Sequence, residues 1–389
     1  MIAIRRLTPG RTLLWLLVLA GAVVVAVRFV WGLGAVTNLS DRFPWGVWIG
    51  FDVMVGVALA AGAFTLNATV HVLHLDRYRP LLRPAVLTGF LGYLMVIIAL
   101  LVDLGRPWNI WQPIVMWNPH SVMFEVAWCV MLYTAVLALE FGPTVLERLR
   151  LWRLLHIARL SITPLVVAAV ILSTLHQSSL GSLFLIAPGK LHPLWYTPLL
   201  PLLFFISAVA VGLAMATVEA VVAARTFRHR LDLPMFVGLS RGTLVILSVY
   251  LGLKVIDLAV RGAWTMLFVS GIERSMFVAE LGLGVVLPLL LLSVNHYSRS
   301  AAGVTVTSVL IVLGVVINRL NVAVTGMLAG SGAAYIPAWT EILITVAIVA
   351  AGMLAYLWVM EHLPIVSPHG RPEPAVSDQP MRWSGHQAT

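Results

Sequence analysis

Long apolar runs separated by short polar gaps occupy almost the whole chain. Each run holds roughly twenty mostly apolar residues, which is the length that a helix needs to cross the hydrocarbon core of a bilayer. The runs cover roughly residues 12–36, 45–74, 84–104, 120–142, 158–176, 195–224, 235–260, 275–295, 301–320 and 339–361. The pattern predicts an all-α integral membrane protein, a bundle of about ten transmembrane helices within residues 1–363.

The composition indicates that lipid, rather than water, surrounds most of this chain. Hydrophobic residues make up 60% of it and charged residues 11%, whereas roughly a quarter of the residues of a soluble domain are charged. The first apolar run follows Arg5 and Arg6 without a small-residue cleavage site, so we expect it to remain as a helix. Residues 364–389 are polar instead, and we predict a disordered tail there.

The basic residues lie mainly in the gaps between apolar runs, where they set topology, so the net charge of +9 does not indicate nucleic-acid binding. With the N-terminus in the cytoplasm, the cytoplasmic side holds Arg5, Arg6, Arg11, Arg77, Arg79, Arg83, Arg148, Arg150, Arg153, Arg159, Arg225, Arg228, Arg230 and Arg299. The opposite side holds Arg42, Arg106, Lys190, Arg261 and Arg274. Because positive residues favour the cytoplasmic side, we expect both termini there.

Several ionisable side chains fall inside the predicted helices, where they are costly and therefore candidates for function. Asp52, Asp103 and Glu125 all lie in the outer half under this orientation. We expect Asp52 and Glu125 to line a polar cavity. Asp103 and the nearby Arg106 have an alternative interpretation, as interfacial side chains that reach towards water.

A second group lies on the seventh helix. Tyr250, Lys254, Asp257 and Arg261 are separated by four, three and four positions, so they share one helix face. Two interpretations stay open. The group is part of a functional site, or Lys254 and Asp257 form a structural ion pair.

The inner half offers fewer ionisable groups. Glu219 and Arg241 lie near the cytoplasmic ends of adjacent helices, and we expect them to pair. Asn67, His71 and His74 lie near the inner end of the second helix. The sequence does not connect these residues into a proton route.

The sequence gives little support for haem or metal chemistry. His71 and His74 are three positions apart on one helix, so one haem cannot lie between them. Other histidines fall near the outer surface, namely His120, His176 and His192. We therefore expect no haem and no metal site. The single cysteine, Cys129, also excludes a cysteine-held iron–sulfur cluster within this chain.

Four segments in a fixed order resemble a known family. They are residues 43–53 (FPWGVWIGFDV), 56–64, 103–107 (DLGRP) and 117–128 (WNPHSVMFEVAW). Together they resemble the NrfD and polysulfide-reductase membrane-subunit family. The MFEVAW version is similar to the HybB-type branch, the membrane subunit of a nickel–iron hydrogenase.

The resemblance implies a quinone-binding membrane anchor subunit of an oxidoreductase complex in a bacterial or archaeal cell membrane. Such a subunit passes electrons between an extracytoplasmic, ferredoxin-like iron–sulfur subunit and the quinone pool. A hydrogenase, or another redox catalytic subunit, lies beyond the iron–sulfur partner. The quinone, menaquinone or ubiquinone, is then a bound substrate, and the family is expected to lack haem.

The resemblance and the chemistry of quinones select candidate site residues. Asp103 and Arg106 match the motif at the family's quinone pocket, whereas this chain departs from relatives that carry a His and an Asn on the first core helix. A quinone pocket needs apolar walls and a few polar groups, and carboxylates can pass its protons. The candidates for proton transfer are Asp103, Glu125 and Asp52. The candidates for quinone binding are Trp45, Trp48, Asp103, Arg106, His120, Tyr250, Lys254 and Asp257.

Two alternatives stay open. A transporter or ion-translocating subunit without quinone chemistry would also carry charges inside the membrane, although nearer the midplane. Within the family, a hydrogenase is the favoured assignment, and the membrane subunit of a sulfur-oxidation or other redox complex is the alternative.

Overall fold

The computed structural model describes residues 8–186, 189–227, 232–332, 335–363 and 365. Within this part of the chain, 10 helices are long and apolar enough to cross a membrane, which confirms the predicted architecture. They are α1 (Pro9–Trp31), α2 (Trp48–Val72), α3 (Asp76–Asp103), α4 (Val122–Arg148), α5 (Ile162–Leu183), α6 (Leu200–Thr226), α7 (Leu233–Val260), α8 (Ile272–Ser293), α9 (Ala301–Ser331) and α10 (Trp339–His362). The predicted tail at 364–389 lies outside the described residues, apart from Ile365, as do Arg5, Arg6, Arg228 and Arg230.

Several helices differ from their predicted bounds, and for α5 and α9 the structure shows the reason. α5 begins later, because Trp152–Leu160 forms a separate short helix, and it ends later, because His176 is buried inside the protein. α9 was expected to end near residue 320 but continues to Ser331. Asn321 does not mark an interface there, since its side chain is buried against Glu280 of α8.

The first and last helices pack together, so the start of α1 lies beside the end of α10. Arg11 at the start of α1 forms an ion pair with Glu361 at the end of α10, and Gly21 faces the side chain of Ala347 further along. We call this side the Arg11 end and the opposite side the Trp48 end. The prediction that the Arg11 end faces the cytoplasm stays a prediction.

Close packing centres on α2. In its most apolar window 78% of the residues are buried, against 17% for α1, so α2 is a core helix and α1 is peripheral. Small residues allow close approach: a side chain at Gly212 of α6 would lie 2.9 Å from the Ala61 carbonyl oxygen of α2. Gly284 of α8 and Gly314 of α9 similarly meet backbone to backbone. Such contacts stabilise helix pairs in lipid mainly through van der Waals packing.

Wider, π-type turns interrupt three of the helices. They occur in α2 (Trp48–Val55 and Ala68–Val72), in α8 (Gly282–Val286) and in α9 (Asn321–Thr325). Such turns are often found at functional sites, because they change the direction of side chains within a helix. Here the first turn of α2 carries Asp52. The turn in α8 begins two residues after Glu280, and the turn in α9 begins with Asn321.

Candidate functional site

Two groups of buried polar side chains lie towards the Trp48 end. We call the first the Asp52 cluster, which consists of Arg28, Trp48, Asp52, Asp103, Tyr335, Glu341 and Thr345. It is built by α1, α2, α3, α10 and the segment before α10. We call the second the Glu280 cluster, which consists of Trp195, Lys254, Glu280, Asn318, Arg319 and Asn321.

The two aspartates of the Asp52 cluster differ in their hydrogen bonding. Asp52 is 8% exposed, and its Oδ2 accepts a hydrogen bond from the Thr345 hydroxyl at 2.8 Å. Asp103 is half-buried at the last turn of α3 and interacts electrostatically with Asp52, Arg28 and Glu341. Among the described residues, no side chain forms a hydrogen bond or ion pair with the Asp103 carboxylate. Asp103 therefore keeps its oxygens available for a ligand.

Arg28 brings a buried positive charge from α1 to this site. Its side chain is 3% exposed. The Nε atom donates to the carbonyl oxygen of Val102 at 2.6 Å, and a terminal nitrogen donates to the carbonyl of Leu104. The last turn of a helix has carbonyls without helical partners, so Arg28 caps α3 on either side of Asp103. The cap fixes where the Asp103 carboxylate lies.

Glu341 has a structural place in the cluster, because its carboxylate is fully engaged. Its Oε1 accepts from the backbone N–H groups of Asn38 at 2.8 Å and Ala338 at 3.0 Å. Its Oε2 accepts from the Tyr335 hydroxyl at 2.5 Å. Burial, together with this hydrogen bond, raises the pKa of Tyr335 well above its usual value, which keeps the phenol protonated as a donor.

The indole of Trp48 joins α2 to α10. It is 1% exposed, and its Nε1 donates to the carbonyl oxygen of Glu341 at 3.0 Å. The Tyr335 hydroxyl also accepts from the backbone N–H of Val47 at 3.0 Å. The start of α2, with Asp52 one turn further along, is therefore fixed against α10.

The Glu280 cluster is centred on one fully satisfied carboxylate. Glu280 is 2% exposed. Its Oε1 accepts from Asn318 at 2.7 Å, and its Oε2 accepts from the Trp195 indole and from Asn321, both at 2.9 Å. Arg319 adds hydrogen bonds to the Asn318 side chain at 2.6 Å and to α6, and stacks over a phenylalanine ring there. These contacts join α6, α8 and α9.

The predicted shared face of α7 is present, but the interpretation in which Lys254 forms an ion pair with Asp257 is wrong. Tyr250, Lys254 and Asp257 are all buried. Asp257 pairs with Arg261 instead, through contacts of 3.0 and 2.7 Å, and also accepts from Thr197 at 2.5 Å. Arg261 lies one turn along the same face, where its planar guanidinium can engage both carboxylate oxygens. Lys254 lies 5.2 Å from the Phe277 ring centroid and interacts electrostatically with Glu280.

The structure divides the predicted quinone site. Asp52, Asp103 and Trp48 come together in the Asp52 cluster, whereas Tyr250, Lys254 and Asp257 lie with α6 and α8. Among the described residues, no hydrogen bond or ion pair joins these two groups. The remaining candidates belong to neither cluster. Trp45 packs edge-on against Phe184, Glu125 is half-buried, and Arg106 and His120 are exposed in the segment between α3 and α4.

The expected pair of Glu219 and Arg241 is also absent among the described residues. Glu219 lies beside Thr88 of α3 and interacts electrostatically with Tyr356 of α10. Arg241 is exposed on α7. The reason is the direction of α6, whose Glu219 face packs towards α3 and α10 rather than towards α7.

Sequence reasoning missed the contributions of α1 and α10 to the Asp52 cluster. Arg28 and Glu341 carried a usable signal, because each is a charge within a long apolar run. Thr345 and Tyr335 carried none. Their importance comes from the packing of α10 against α2.

Comparison with known proteins assigns the chain to a family. The profile of polysulphide reductase, NrfD, matches residues 35–329, most of the chain. The chain belongs to this family. The match confirms the resemblance expected from the motifs and, with the ten helices, a multi-pass membrane protein.

Three relatives are informative. The chain is 33% identical over 352 residues to the probable Ni/Fe-hydrogenase 2 b-type cytochrome subunit of Escherichia coli strain K12, covering 89% of each protein. It is 30% identical over 380 residues to the menaquinone reductase integral membrane subunit of Nitratidesulfovibrio vulgaris, covering 88% of this chain and 90% of that one. It is 26% identical over 407 residues to a putative dimethyl sulfoxide reductase membrane subunit of Halobacterium salinarum, with the same coverage.

One of these names corrects an expectation. The Escherichia coli relative is called a b-type cytochrome subunit, so the prediction of a family without haem is wrong. In this NrfD-family chain, His176 is the histidine most like an axial ligand, because its Nδ1 lies 2.8 Å from the Tyr93 hydroxyl and its Nε2 has no partner among the described residues. That Nε2 is enclosed by packed side chains, however, and a porphyrin does not fit there unless the neighbouring helices separate.

Proposed function

We propose that this NrfD-family chain is the quinone-binding membrane subunit of an oxidoreductase complex, with the quinone ring held beside Asp103 at the Trp48 end. One observation carries the proposal. Asp103 is half-buried with unpaired oxygens, next to the buried Asp52 and the buried guanidinium of Arg28. A carboxylate held in this way is a suitable proton donor to a quinone oxygen.

The chemistry needs two electrons and two protons for each quinone reduced to quinol. Asp103 would hand over protons at the ring, and Asp52, which interacts electrostatically with it, would resupply them. Arg28 would stabilise negative charge that develops on the quinone oxygen. The fixed cap that Arg28 forms on α3 supports this role, because donors that are already in place need no reorganisation during the reaction.

The electrons would come from an iron–sulfur subunit docked at the Trp48 end, with a hydrogenase or another redox catalytic subunit beyond it. The names of the relatives support a redox catalytic partner, since they include a b-type cytochrome subunit of a Ni/Fe-hydrogenase and an integral membrane subunit of a menaquinone reductase. Menaquinone and ubiquinone are both suitable substrates. The exposed Arg106 and His120 would then lie where the partner docks.

The Glu280 cluster is the less suitable quinone site. Both oxygens of Glu280 accept hydrogen bonds from side chains of the protein, and Asp257 is occupied by Arg261 and Thr197. A ligand would have to displace these partners. We therefore assign the cluster to holding α6 through α9 together.

The test compares matched aspartate variants of the complex, purified through a tag on this chain. Reduced methyl viologen supplies electrons and menadione accepts them in detergent, with the protein-free rate subtracted. We expect Asp103→Asn to lower turnover by on the order of a hundredfold, the usual contribution of a proton-transferring group. Asp76→Asn is the control, because Asp76 is exposed at the Arg11 end and pairs only with Arg79 among the described residues.

Two results would contradict the proposal. One is wild-type turnover and wild-type menadione affinity in both Asp103→Asn and Asp52→Asn. The other is an equal loss in Asp76→Asn, which would indicate a general effect of removing charge rather than a site.

A further inference from the structure

A polar cavity lies at the Arg11 end, where α7 begins and α8 ends. Its volume is about 200 Å³, whereas one water molecule occupies about 30 Å³ of liquid water. Ser240 and Arg241 of α7 form one wall, and Asn295 and Arg299, from the segment between α8 and α9, form another. We call this space the Arg241 cavity. It opens at the surface, since both arginines are exposed.

The charge of the Arg241 cavity is positive, and the protein does not neutralise it. Arg241 and Arg299 both line the cavity, and among the described residues no carboxylate does. Neither guanidinium forms a hydrogen bond or an ion pair within the described part of the chain. Two like charges beside one cavity repel each other. An anion between them would therefore relieve this repulsion as well as form contacts of its own.

The uncharged polar groups of the cavity also lack protein partners. Ser240 is 7% exposed, and its hydroxyl forms no hydrogen bond with any residue that the structure describes. The side chains of Asn295 and Ser298, which also line the cavity, form none there either. A hydroxyl and an amide can each donate a hydrogen bond. Because a buried polar group is costly without a partner, the Ser240 hydroxyl must find one inside the cavity.

This set of donors suits a phosphate group. A phosphate carries negative charge on several strongly accepting oxygens, and the planar guanidinium of an arginine can bind two of them at once. The hydroxyl of Ser240 and the amide of Asn295 can donate to the remaining oxygens. A quinone ring offers only two neutral carbonyls, so it would leave the charge of the two arginines unmatched. The chemistry of the cavity therefore differs from that of the Asp52 cluster.

The surroundings of the cavity indicate that the phosphate belongs to a membrane lipid. Val245 and Val249 follow Arg241 at four and eight positions, so they extend the same face of α7 into the membrane. They are 63% and 50% exposed. Tyr297, in the segment between α8 and α9, is also exposed, and tyrosine is common at the level of the lipid headgroups. A positive cavity above an apolar face matches a phospholipid, which has a charged head above its acyl chains.

We propose that the Arg241 cavity binds the phosphate of an anionic phospholipid, with Arg241 and Arg299 on the phosphate oxygens and an acyl chain along the apolar face of α7. Basic cavities between transmembrane helices recognise anionic headgroups in this way. The bound lipid joins α7 to the segment between α8 and α9. The site is at the opposite end of the bundle from the Asp52 cluster, and it does not depend on the proposed quinone chemistry.

The test measures lipid binding to the full chain in detergent by native mass spectrometry, after extensive detergent washing has removed the lipid that copurifies. The chain is titrated with phosphatidylglycerol, and separately with phosphatidylcholine of the same acyl chains, which has a phosphate but no net charge. We expect the first phosphatidylglycerol to bind roughly tenfold more tightly than the first phosphatidylcholine. We expect excess inorganic phosphate not to displace it, because inorganic phosphate lacks the acyl chains.

Two variants test the residues of the cavity. The double variant Arg241→Gln, Arg299→Gln removes both guanidinium groups, and Ser240→Ala removes only the buried hydroxyl. We expect the affinity for phosphatidylglycerol to fall on the order of a hundredfold in the first and about tenfold in the second. The matched control is Arg153→Gln, Arg159→Gln, which removes two exposed arginines from the short helix before α5 at the same end.

Several outcomes would overturn the proposal. Wild-type affinity in the double variant would show that the lipid binds elsewhere, and an equal loss in the control variant would indicate a general attraction of lipid to positive charge at this end. Equal binding of phosphatidylcholine, or displacement by inorganic phosphate, would exclude an anionic lipid as the ligand. If the double variant loses its monodisperse peak in size exclusion, Ser240→Ala decides, and unchanged affinity in that variant would overturn the site.

Discussion

The Arg28 guanidinium donates to the carbonyl oxygen of Val102 at 2.6 Å, and so links the first helix of the chain to the turn that carries Asp103. The same guanidinium reaches the carbonyl of Leu104. A buried arginine is costly unless its donors are satisfied. Here it is satisfied by the orphan carbonyls of a helix end, and it holds the candidate proton donor in place.

We expect Arg28→Lys to impair this site while the chain still folds. Lysine keeps the charge but lacks the planar fork that reaches two carbonyls at once. The loss of a charged hydrogen bond is about 1.5–3 kcal/mol, which corresponds to at least tenfold in menadione turnover if it acts on the transition state. Arg42→Lys is the control, since Arg42 is exposed near the same end. Equal turnover in both variants would show that Arg28 does not position the site.

Glu280 should be a stability residue. Glu280→Leu removes the acceptor of the Trp195 indole and of the Asn318 amide, and one of the two acceptors of the Asn321 amide. Breaking a buried charged network in this way costs about 3–5 kcal/mol. We expect a clear fall in the temperature at which a fluorescent fusion of the chain loses its monodisperse peak in size exclusion. Glu273→Leu, earlier in α8, should change it little, and a comparable fall there would argue against the assignment.

The close contact between Gly284 and Gly314 should also contribute to the stability of the protein. A methyl group at Gly284 would meet the Gly314 backbone, whereas a methyl group at Gly282 of the same helix meets nothing within 4 Å. Overpacking of this kind costs about 1–3 kcal/mol. We therefore expect Gly284→Ala to lower the same melting temperature and Gly282→Ala to leave it unchanged. The reverse order would mean that α8 and α9 are not packed in this way.

The segment between α5 and α6 should lose stability in mild acid. Burial lowers the pKa of His192, and its Nδ1 accepts from the Leu194 N–H at 3.3 Å, as an unprotonated nitrogen does. A lowered folded pKa means that the unfolded state binds more protons below about pH 6.5, so stability falls as the pH falls through that region. His192→Gln should reduce this dependence, as measured by melting between pH 7.5 and about 5. An unchanged pH profile would exclude His192 as its source.

Part of the candidate site was predictable from local sequence features. Asp52 and Asp103 stand out as carboxylates in apolar runs, and the motif around Asp103 helped to identify the family. Their separation from Lys254 and Asp257 was not predictable, because equal depth in the membrane does not specify which helices are neighbours.

The sequence by itself determined the ten helices, their membrane environment and the family, since these depend on run length, composition and motif order. Only the tertiary structure decided that Arg28 and Thr345, from the first and last helices, complete the site of Asp52 and Asp103. The physical reason is that hydropathy and periodicity act along a single helix. Helix partners in lipid are instead selected by close packing and by the need to satisfy every buried polar group.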